Sequence, residues 1–408
     1  MYSLRISLLL AAFAVLLRPT NLLIWFSVGT VYLSRFVGRG RAPLDLYGLF
    51  ILLRETIFCG SLALAVSLTS DRLYFGAWTF PPYRWLYFNI SQSLAVLYGE
   101  NAWHYFLSQG LPLLCTTYLP FVLIGFYKNS PATTAAKNSL TALRMAALNT
   151  IVAMSTISHK EVRFIYPLLP IFHVLGAPFA AAFFSRVTPP TTEKPTPKTT
   201  LVRKRTLAGM LFINLTMAGY LTFGHQAAPI SVLSMLRTTY ERIYPVVYYR
   251  PGTVPQIPAG ANDLFVIFLM PCHTTPWRSH LIYSSLKARA LTCEPPLHTA
   301  PNSPERAAYR DEAARFYDDP IGFLSREVWP APLPTSGGNG TEAAATTALA
   351  VMPDYIAGFD NIEPWLKEFF DGPGAAYNVR LRRTWQCGNG LFNDDRRRMG
   401  KMVLWSTF

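Results

Sequence analysis

Four ionisable side chains lie within five consecutive positions between two apolar runs of the sequence. They are His159, Lys160, Glu161 and Arg163, in the stretch ISHKEVRFIYPLLP at 157–170. Lysine and arginine can hold a phosphate, and histidine or glutamate can accept a proton. The alternative is structural, because basic residues at helix ends often snorkel to lipid head groups. The side of the membrane that this loop faces decides between the two interpretations.

The composition is that of a membrane protein. Of 408 residues, 51% are hydrophobic and only 15% are charged, with a mean hydropathy of +0.21. An ordinary soluble domain carries about 25% charged residues. The net charge of +14 does not indicate nucleic-acid binding, because the early basic residues lie in short loops between apolar runs. The N-terminal run lacks an A-x-A cleavage site, so we expect a span or signal anchor there.

Seven apolar segments are candidates for membrane spans. They cover about 3–17, 22–34, 46–69, 104–127, 140–157, 164–184 and 207–223. The first two are shorter than the roughly 20 residues that a full crossing needs, so they form either two short spans or a re-entrant pair broken at Pro19. Arg54 and Glu55 lie midway through the third segment, where charges are costly. They form either an internal pair or part of a luminal cavity.

Basic loops determine the predicted orientation. The Pro/Thr-rich linker 185–206 carries six basic residues against one acidic residue, which predicts a cytosolic location. The basic loops near 35–41 and 128–137 fall on the same side if every segment crosses. The remaining loops then face the lumen: 18–21, 70–103, 159–163 and everything after 223. Lys160 and Arg163 therefore lie on the wrong side for a topology signal, which favours a polar site over snorkelling.

This orientation divides the chain into a transmembrane domain at 1–223 and a luminal domain at 224–408. In the luminal domain, sequence patterns predict strands at 263–273 and 346–356 and helices at 303–320 and 363–370. We therefore expect a small α/β domain at about 255–408.

The predicted luminal loop 70–103 is rich in aromatic residues, and Pro81–Pro82 interrupts any long helix there. Such a loop suits a segment lying along the bilayer surface. It also suits a groove for a lipid-linked sugar, where rings stack on the sugar faces. In the second interpretation, Asp71, Arg72 and His104 supply polar contacts.

The luminal parts contain candidate modification sites. Asn339 lies in a glycosylation sequon on a Gly-rich surface loop, and Asn89 lies in a second sequon close to the membrane. Cys272 and Cys293 would lie in an oxidising compartment and are candidates for a disulfide, which would leave Cys387 free. The cluster PCHTTPWRSH has two histidines seven positions apart, but no second ligand pair has a suitable spacing, so we expect no metal.

Several motifs resemble a known family. HKEVRFIYPLLP at 159–170 resembles the signature of glycosyltransferase family 22, the dolichyl-phosphate-mannose-dependent mannosyltransferases of the endoplasmic reticulum. DRLYFGAWTF, YGENAWHYFLSQGLP, LMPCHTTPWRSH and LTCEPPL look like the members that act on glycosylphosphatidylinositol (GPI) precursors rather than on N-glycans. The similarity runs from RPTN at 18–21 to NDDRRRMGKMVLW at 393–405, which is nearly the whole chain.

The resemblance implies a polytopic α-helical membrane protein of the GT-C-like type, with a C-terminal luminal α/β domain. It implies transfer of the third, α1,2-linked mannose to the GPI-anchor precursor on the luminal face of the endoplasmic reticulum. Dolichyl phosphate mannose would be the donor, and no cofactor is expected. The implied site residues are His159, Lys160 and Arg163 for the donor phosphate, and Arg18, Asp71, Arg72 and His104 for other substrate contacts.

One departure from the family concerns catalysis. Family members carry an acidic residue thought to act in catalysis on a first luminal loop, yet no Asp or Glu occurs before Asp45, which the topology places in the cytosol. We expect an incomplete gene model, with an inactive variant as the alternative. Glu161 is expected to orient the cationic cluster and is a candidate for a substitute base. A non-catalytic binding or regulatory subunit and a transporter or scramblase are the competing functions, although no internal repeat supports the latter.

Overall fold

The chain folds into two compact units, Met1–Asn214 and Leu215–Phe408. The boundary falls earlier than the one at 223 predicted from composition. The computed structural model describes residues 2–34, 46–128, 133–188, 198–244, 263–330, 352–393 and 395–408.

The first unit is mainly helical. Its helices are α1 Tyr2–Leu17, α2 Asn21–Leu33, α3 Leu46–Phe75, α4 Pro81–Leu86, α5 Leu111–Cys115, α6 Leu119–Tyr127, α7 Thr134–Ser155, α8 Leu169–Phe184 and α9 Lys204–Phe223, which continues into the second unit. Short 3-10 or π-helical turns lie at Tyr87–Ser91, Leu94–Tyr98, Phe106–Gly110, Thr116–Tyr118 and Val162–Leu168. An antiparallel pair of strands, β1 Ser185–Thr188 and β2 Lys198–Leu201, precedes α9.

Among the described residues, four helical stretches are long and apolar enough to cross a membrane. They are Leu46–Phe75, Phe106–Tyr127, Val162–Phe184 and Lys204–Phe223. Helices α1 and α2 are apolar but shorter. Helix α7 covers most of the predicted segment 140–157 and has 22 residues, or about 33 Å, but it carries Lys137 and Arg144. The chain is thus a multi-pass membrane protein, and its seven crossings stay a prediction.

The helices of the first unit pack in pairs: α1 against α3, α2 against α7, and α6 against α8. Gly125 permits the close contact of α6 with α8, because a Cβ atom there would lie 2.3 Å from the Leu175 carbonyl oxygen. Arg144 of α7 also contacts α6, because its Nε donates to the Gly125 carbonyl at 3.0 Å. A cation at carbonyls near the C-terminal end of α6 complements the helix dipole.

The charges in the middle of α3 form an internal pair. Glu55 is buried, and its carboxylate contacts Arg5 of α1, with Nε 2.6 Å from Oε2, and Arg54, with Nη2 2.5 Å from Oε1. Buried carboxylates are tolerated when they are paired in this way. The contact joins α1 to α3. Of the two alternatives for Arg54 and Glu55, an internal pair or part of a luminal cavity, the structure has the internal pair.

The second unit is a mixed five-stranded sheet with helices on both faces. The strands are β3 Leu264–Leu269, β4 Leu286–Ala290, β5 Tyr355–Phe359, β6 Arg382–Gly388 and β7 Lys401–Ser406, in the order β4–β3–β5–β7–β6. Strands β4, β3 and β5 run parallel, and β7 is antiparallel to β5 and β6. The helices are α10 Ala228–Ile243, α11 Trp277–His280, α12 Pro304–Ala308, α13 Glu312–Asp318, α14 Pro320–Phe323 and α15 Glu363–Asp371. Short 3-10 or π-helical turns lie at Leu324–Val328, Asp360–Ile362, Ala375–Tyr377 and Arg396–Arg398.

Both faces of the sheet are buried at its central strands, which explains the continuous apolar run of β3. Val266 and Phe268 belong to the core that includes α10, whereas Ile267 and Leu269 belong to the core that includes α13 and α15. Successive side chains of a strand point to opposite faces, so a strand between two helical layers is apolar throughout.

Strand β3 lies within the predicted segment 263–273, but two other predictions need correction. The second strand begins only at Tyr355, whereas it was predicted at 346–356, of which 346–351 lie outside the described residues. The predicted helix 303–320 is divided into short helices, because the side chains of Ser303 and Asp311 each cap a new helix.

Candidate functional site

A cavity of about 970 Å³ lies in the first unit beside the HKEVRF sequence. Its wall includes the turn between α1 and α2, helix α4 with the turns after it, and residues from the segments 153–159 and 163–164. The polar side chains in the wall include Arg18, His159 and Arg163, and apolar surface comes from residues such as Trp85. Two arginines that are far apart in the sequence therefore line one cavity.

Arg18 is placed by the turn that joins α1 to α2. Pro19 follows it, and proline cannot donate the backbone hydrogen bond that would continue α1. The Asn21 side chain donates to the Ala14 carbonyl at 2.9 Å and ties the first turn of α2 to the last turn of α1. Arg18 is half-buried at this turn.

His159, Glu161 and Arg163 form one hydrogen-bonded group. Glu161 Oε1 lies 3.0 Å from His159 Nε2 and 2.8 Å from Arg163 Nη2, and Oε2 also pairs with Arg163 Nε. His159 Nδ1 lies 2.9 Å from the Gly99 carbonyl oxygen. Both ring nitrogens thus lie within hydrogen-bond distance of an oxygen atom. The Glu161 carboxylate holds the imidazole ring of His159 and the guanidinium of Arg163 together.

The pKa of Glu161 bears on its predicted role as a base. Burial alone would raise this pKa, but hydrogen bonds from Arg163 and His159 lower it below the ordinary glutamate value. A carboxylate whose pKa is lowered in this way is a poor proton acceptor. The geometry supports the orienting role predicted for Glu161 and argues against its use as a base.

Lys160 is placed differently from its neighbours. Its side chain is only 3% exposed, its Nζ donates to the Asn101 carbonyl at 2.8 Å, and the Asn101 amide donates back to the Lys160 carbonyl at 2.8 Å. The backbone at Glu161 is extended, and side chains alternate in direction along an extended backbone. Lys160 is not among the described residues that line the cavity. This placement argues against the predicted contact of Lys160 with a donor phosphate.

Burial lowers the pKa of Lys160, and the charge of Glu100 opposes that shift. Asn101 N also donates to the Ser158 carbonyl at 3.0 Å. Residues 99–101 and 158–160 are therefore held together, and Lys160 is a structural part of that contact.

The other predicted substrate residues lie elsewhere in the first unit. Asp71 and Arg72 lie near the C-terminal end of α3, and exposed His104 has its Nδ1 3.0 Å from Ser108 Oγ. None of these three is among the described residues that line the cavity. Asn89 does line it, and its amide donates to the Trp85 carbonyl at 2.8 Å. Asn339 lies outside the described residues.

In the second unit, Cys272 and Cys293 form a disulfide with a Cα–Cα distance of 6.0 Å, and Cys387 is a free thiol. The two sulfurs and a carboxylate oxygen of Asp311 lie within 4.8 Å of one another. Metal-binding cysteines act as thiolates, so the disulfide is incompatible with metal binding through these two sulfurs.

Sequence reasoning missed two contacts of the site. Gly99 and Asn101 lie in the YGENAW motif, yet no local pattern indicates that they contact His159 and Lys160. Trp85 lies in the aromatic loop 70–103, and no local pattern distinguishes it from the other rings. These contacts depend on how segments far apart in the sequence pack together.

The sequence profile of the Alg9-like mannosyltransferase family matches residues 2–282. The chain belongs to this family. The family resemblance drawn from the sequence motifs is thereby confirmed.

This Alg9-like family member is similar to proteins named for GPI mannosylation. It is 50% identical to GPI mannosyltransferase 3 of Gibberella zeae over 100% of this chain and 65% of that protein. The identity to GPI mannosyltransferase 3 of Aspergillus fumigatus is 40%, over 98% of this chain and 52% of that protein. The identity to the Homo sapiens protein named GPI alpha-1,2-mannosyltransferase 3 is 32%, over 80% of this chain and 49% of that protein. The chain thus spans from about half to somewhat under two thirds of these relatives' lengths. No solved structure matches the chain.

Proposed function

We propose that this chain is a mannosyltransferase that adds the third, α1,2-linked mannose to a GPI-anchor precursor. The donor is dolichyl phosphate mannose, and the reaction takes place on the luminal face of the endoplasmic reticulum membrane. The names of the similar proteins support the acceptor and the linkage. The positive-inside argument for the linker 185–206 supports the luminal side.

The observation that carries the proposal is the cationic cavity. Mannosyl transfer from a lipid phosphate releases an anionic leaving group, which positioned cations stabilise. Arg18 and Arg163 supply positive charge in a wall that is otherwise largely apolar. Glu161 engages two nitrogens of the Arg163 guanidinium, Nε and Nη2. Arginine offers five N–H donors, so a phosphate can be bound while Glu161 keeps the side chain in place.

One observation favours a second candidate function. Neither Asp nor Glu occurs among the described residues that line the cavity, and Glu161 is held as an ion pair. Glycosyl transfer needs a base for the acceptor hydroxyl. A subunit that binds the lipid-linked glycan without transferring mannose would keep this cavity and need no base.

The test is expression of the chain in cells that lack the third GPI mannosyl transfer. Metabolic labelling with mannose, followed by separation of the glycolipids, measures conversion of the two-mannose precursor to the three-mannose form. The Gibberella zeae relative is the positive control. Conversion supports the enzyme, whereas capture of the two-mannose precursor by the purified chain without conversion supports the binding subunit. If the chain neither converts nor captures the precursor, both candidate functions are contradicted.

A further inference from the structure

The loop between β6 and β7 is bonded to the end of a membrane-spanning helix. Tyr220 lies in the last turn of α9, and its hydroxyl accepts from Leu391 N at 2.6 Å and donates to the Leu391 carbonyl at 2.7 Å. His225 Nδ1 lies 3.2 Å from the same carbonyl, and Gln226 N donates to the Asn389 carbonyl at 3.1 Å. All of these residues belong to the second unit. The loop is therefore fixed beside the point at which α9 ends.

Gly390 makes this close contact possible. Its φ is +76°, and a Cβ atom there would lie 2.6 Å from the Gly224 carbonyl oxygen and 3.1 Å from Tyr220 Oη. Only glycine adopts this backbone conformation readily and also leaves room for the approach. The sequence GNGLF thus has a glycine at the position where the loop meets the helix end.

The residues that follow expose apolar surface. Leu391 is 67% exposed and Phe392 is 82% exposed. The φ of Phe392 is +61°, which is uncommon for a bulky residue. A strained residue that displays an aromatic ring to the surroundings, next to a second apolar side chain, indicates a contact surface. We call Leu391 and Phe392 the apolar tip.

We propose that the apolar tip inserts into the lipid leaflet in which α9 ends, and so attaches the β-sheet unit to the bilayer surface. Helix α9 spans Lys204–Phe223 with no buried residue, as expected for a helix that faces lipid. Tyr220 near its end belongs at the membrane interface, where tyrosine is enriched. A tip that is hydrogen-bonded to this tyrosine lies at about the same depth, and leucine and phenylalanine are favourable at the boundary of head groups and acyl chains.

The basic residues near the apolar tip differ in how far they are engaged within the protein. Arg397 is paired with Asp395, with Nη2 and Oδ2 2.9 Å apart, and Arg398 Nη2 donates to the Cys272 carbonyl at 2.7 Å. Arg397 and Arg398 are thus engaged within the protein, whereas Arg396 and Lys401 are exposed. Because the tip itself carries no charge, its insertion should persist in bilayers of zwitterionic lipid. This inference does not depend on mannosyl transfer.

The experiment places a fluorophore at the tip of the full chain in proteoliposomes. Phe392→Cys, in a Cys387→Ser background, is labelled with an environment-sensitive dye, because Cys59 and Cys115 are buried. Quenching is measured with phosphatidylcholine that carries a spin label high on the acyl chain. The matched control is Phe408→Cys, because Phe408 is 75% exposed and lies beyond Ser406, at the other end of β7 from Lys401 and the tip loop.

We expect blue-shifted emission and several-fold stronger quenching at 392 than at 408, in both zwitterionic and anionic bilayers. Water-like emission at 392, equal to that at 408, would overturn the proposal. Tyr220→Phe removes only the hydroxyl that holds Leu391, so quenching at 392 should fall while size-exclusion behaviour stays unchanged. Unchanged quenching in this variant would overturn the role of Tyr220 in setting the depth of the tip.

Discussion

At the scale of single residues, Arg163 and Lys160 carry the same charge in different surroundings. Arg163 is 63% exposed and lines the cavity. Arg163→Ala should abolish mannosyl transfer, a loss on the order of a hundredfold or more, because a charge-assisted contact to the leaving phosphate disappears. Arg163→Lys should recover only part of the activity, since a point charge replaces a fork of donors. The measurement is restoration of surface GPI-anchored protein in deficient cells, normalised to the level of the expressed chain.

A snorkelling role for Arg163 gives a different result. Lysine would then replace arginine fully, and alanine would lower expression rather than specific activity. Full activity of the alanine variant would remove this loop from the active site.

Lys160 should affect stability rather than donor binding. Its buried ammonium group donates to the Asn101 carbonyl, and a hydrogen bond to a charged group contributes about 1.5–3 kcal/mol. Lys160→Met should lower the apparent melting temperature in detergent and leave the donor affinity of the folded fraction unchanged. Arg163→Ala is the matched control, with the opposite pattern expected. Weakened donor binding at an unchanged melting temperature would show that Lys160 contacts the ligand.

Only part of the candidate site is predictable from the sequence. The sequence brings His159, Glu161 and Arg163 close together because they are near neighbours. The side chain of Lys160 points away from those of His159 and Glu161 because the backbone is extended here. The apolar pattern of the flanking sequence does not indicate an extended backbone. The presence of Arg18 in the same cavity wall depends on the packing of α2 against α7, a contact between distant segments.

At the scale of elements, the disulfide of the second unit joins the ends of neighbouring parallel strands. Cys272 follows β3 and Cys293 follows β4, at a sequence separation of 21. Closing a loop of this size contributes about 3 kcal/mol in the chain-entropy model. Alkylation without reductant should modify neither cysteine, and the double Cys→Ser variant should unfold at lower denaturant concentration. Cys387 is the internal control, because its free thiol should be alkylated under denaturing conditions. Modification of Cys272 and Cys293 without reductant would contradict the disulfide.

The elements also differ in how well local patterns predict them. Strand β3 is predictable because an apolar run buried on both faces is typical of a central parallel strand. The start of β5 is not predictable in this way. Asp354, just before the strand, accepts at Oδ2 from Phe265 N of the neighbouring β3, and this contact has no local signature in the sequence. Capping by Asp311 could have been read from the sequence and would have divided the helix predicted at 303–320.

At the scale of the whole molecule, a single span, α9, lies between the basic linker and the β-sheet of the second unit. The linker 185–206 precedes the β-sheet of the second unit. Among the described residues, α9 is the only helix between the linker and the sheet that is long and apolar enough to cross a membrane. Their opposite locations therefore do not depend on whether the first unit crosses seven times or fewer. Positive charge places the linker in the cytosol, so the part of the second unit that follows α9 should be luminal.

An epitope after Phe408 should thus be protected when protease is added to intact microsomes, and digested once detergent is present. An epitope inserted in the linker near Glu193 is the matched control and should be digested without detergent. Digestion of both epitopes would mean that α9 does not cross the membrane. Protection of the linker with digestion of the C-terminal epitope would reverse the orientation. It would then place the β-sheet unit in the cytosol, and with it the disulfide in a reducing compartment where such bonds are rare.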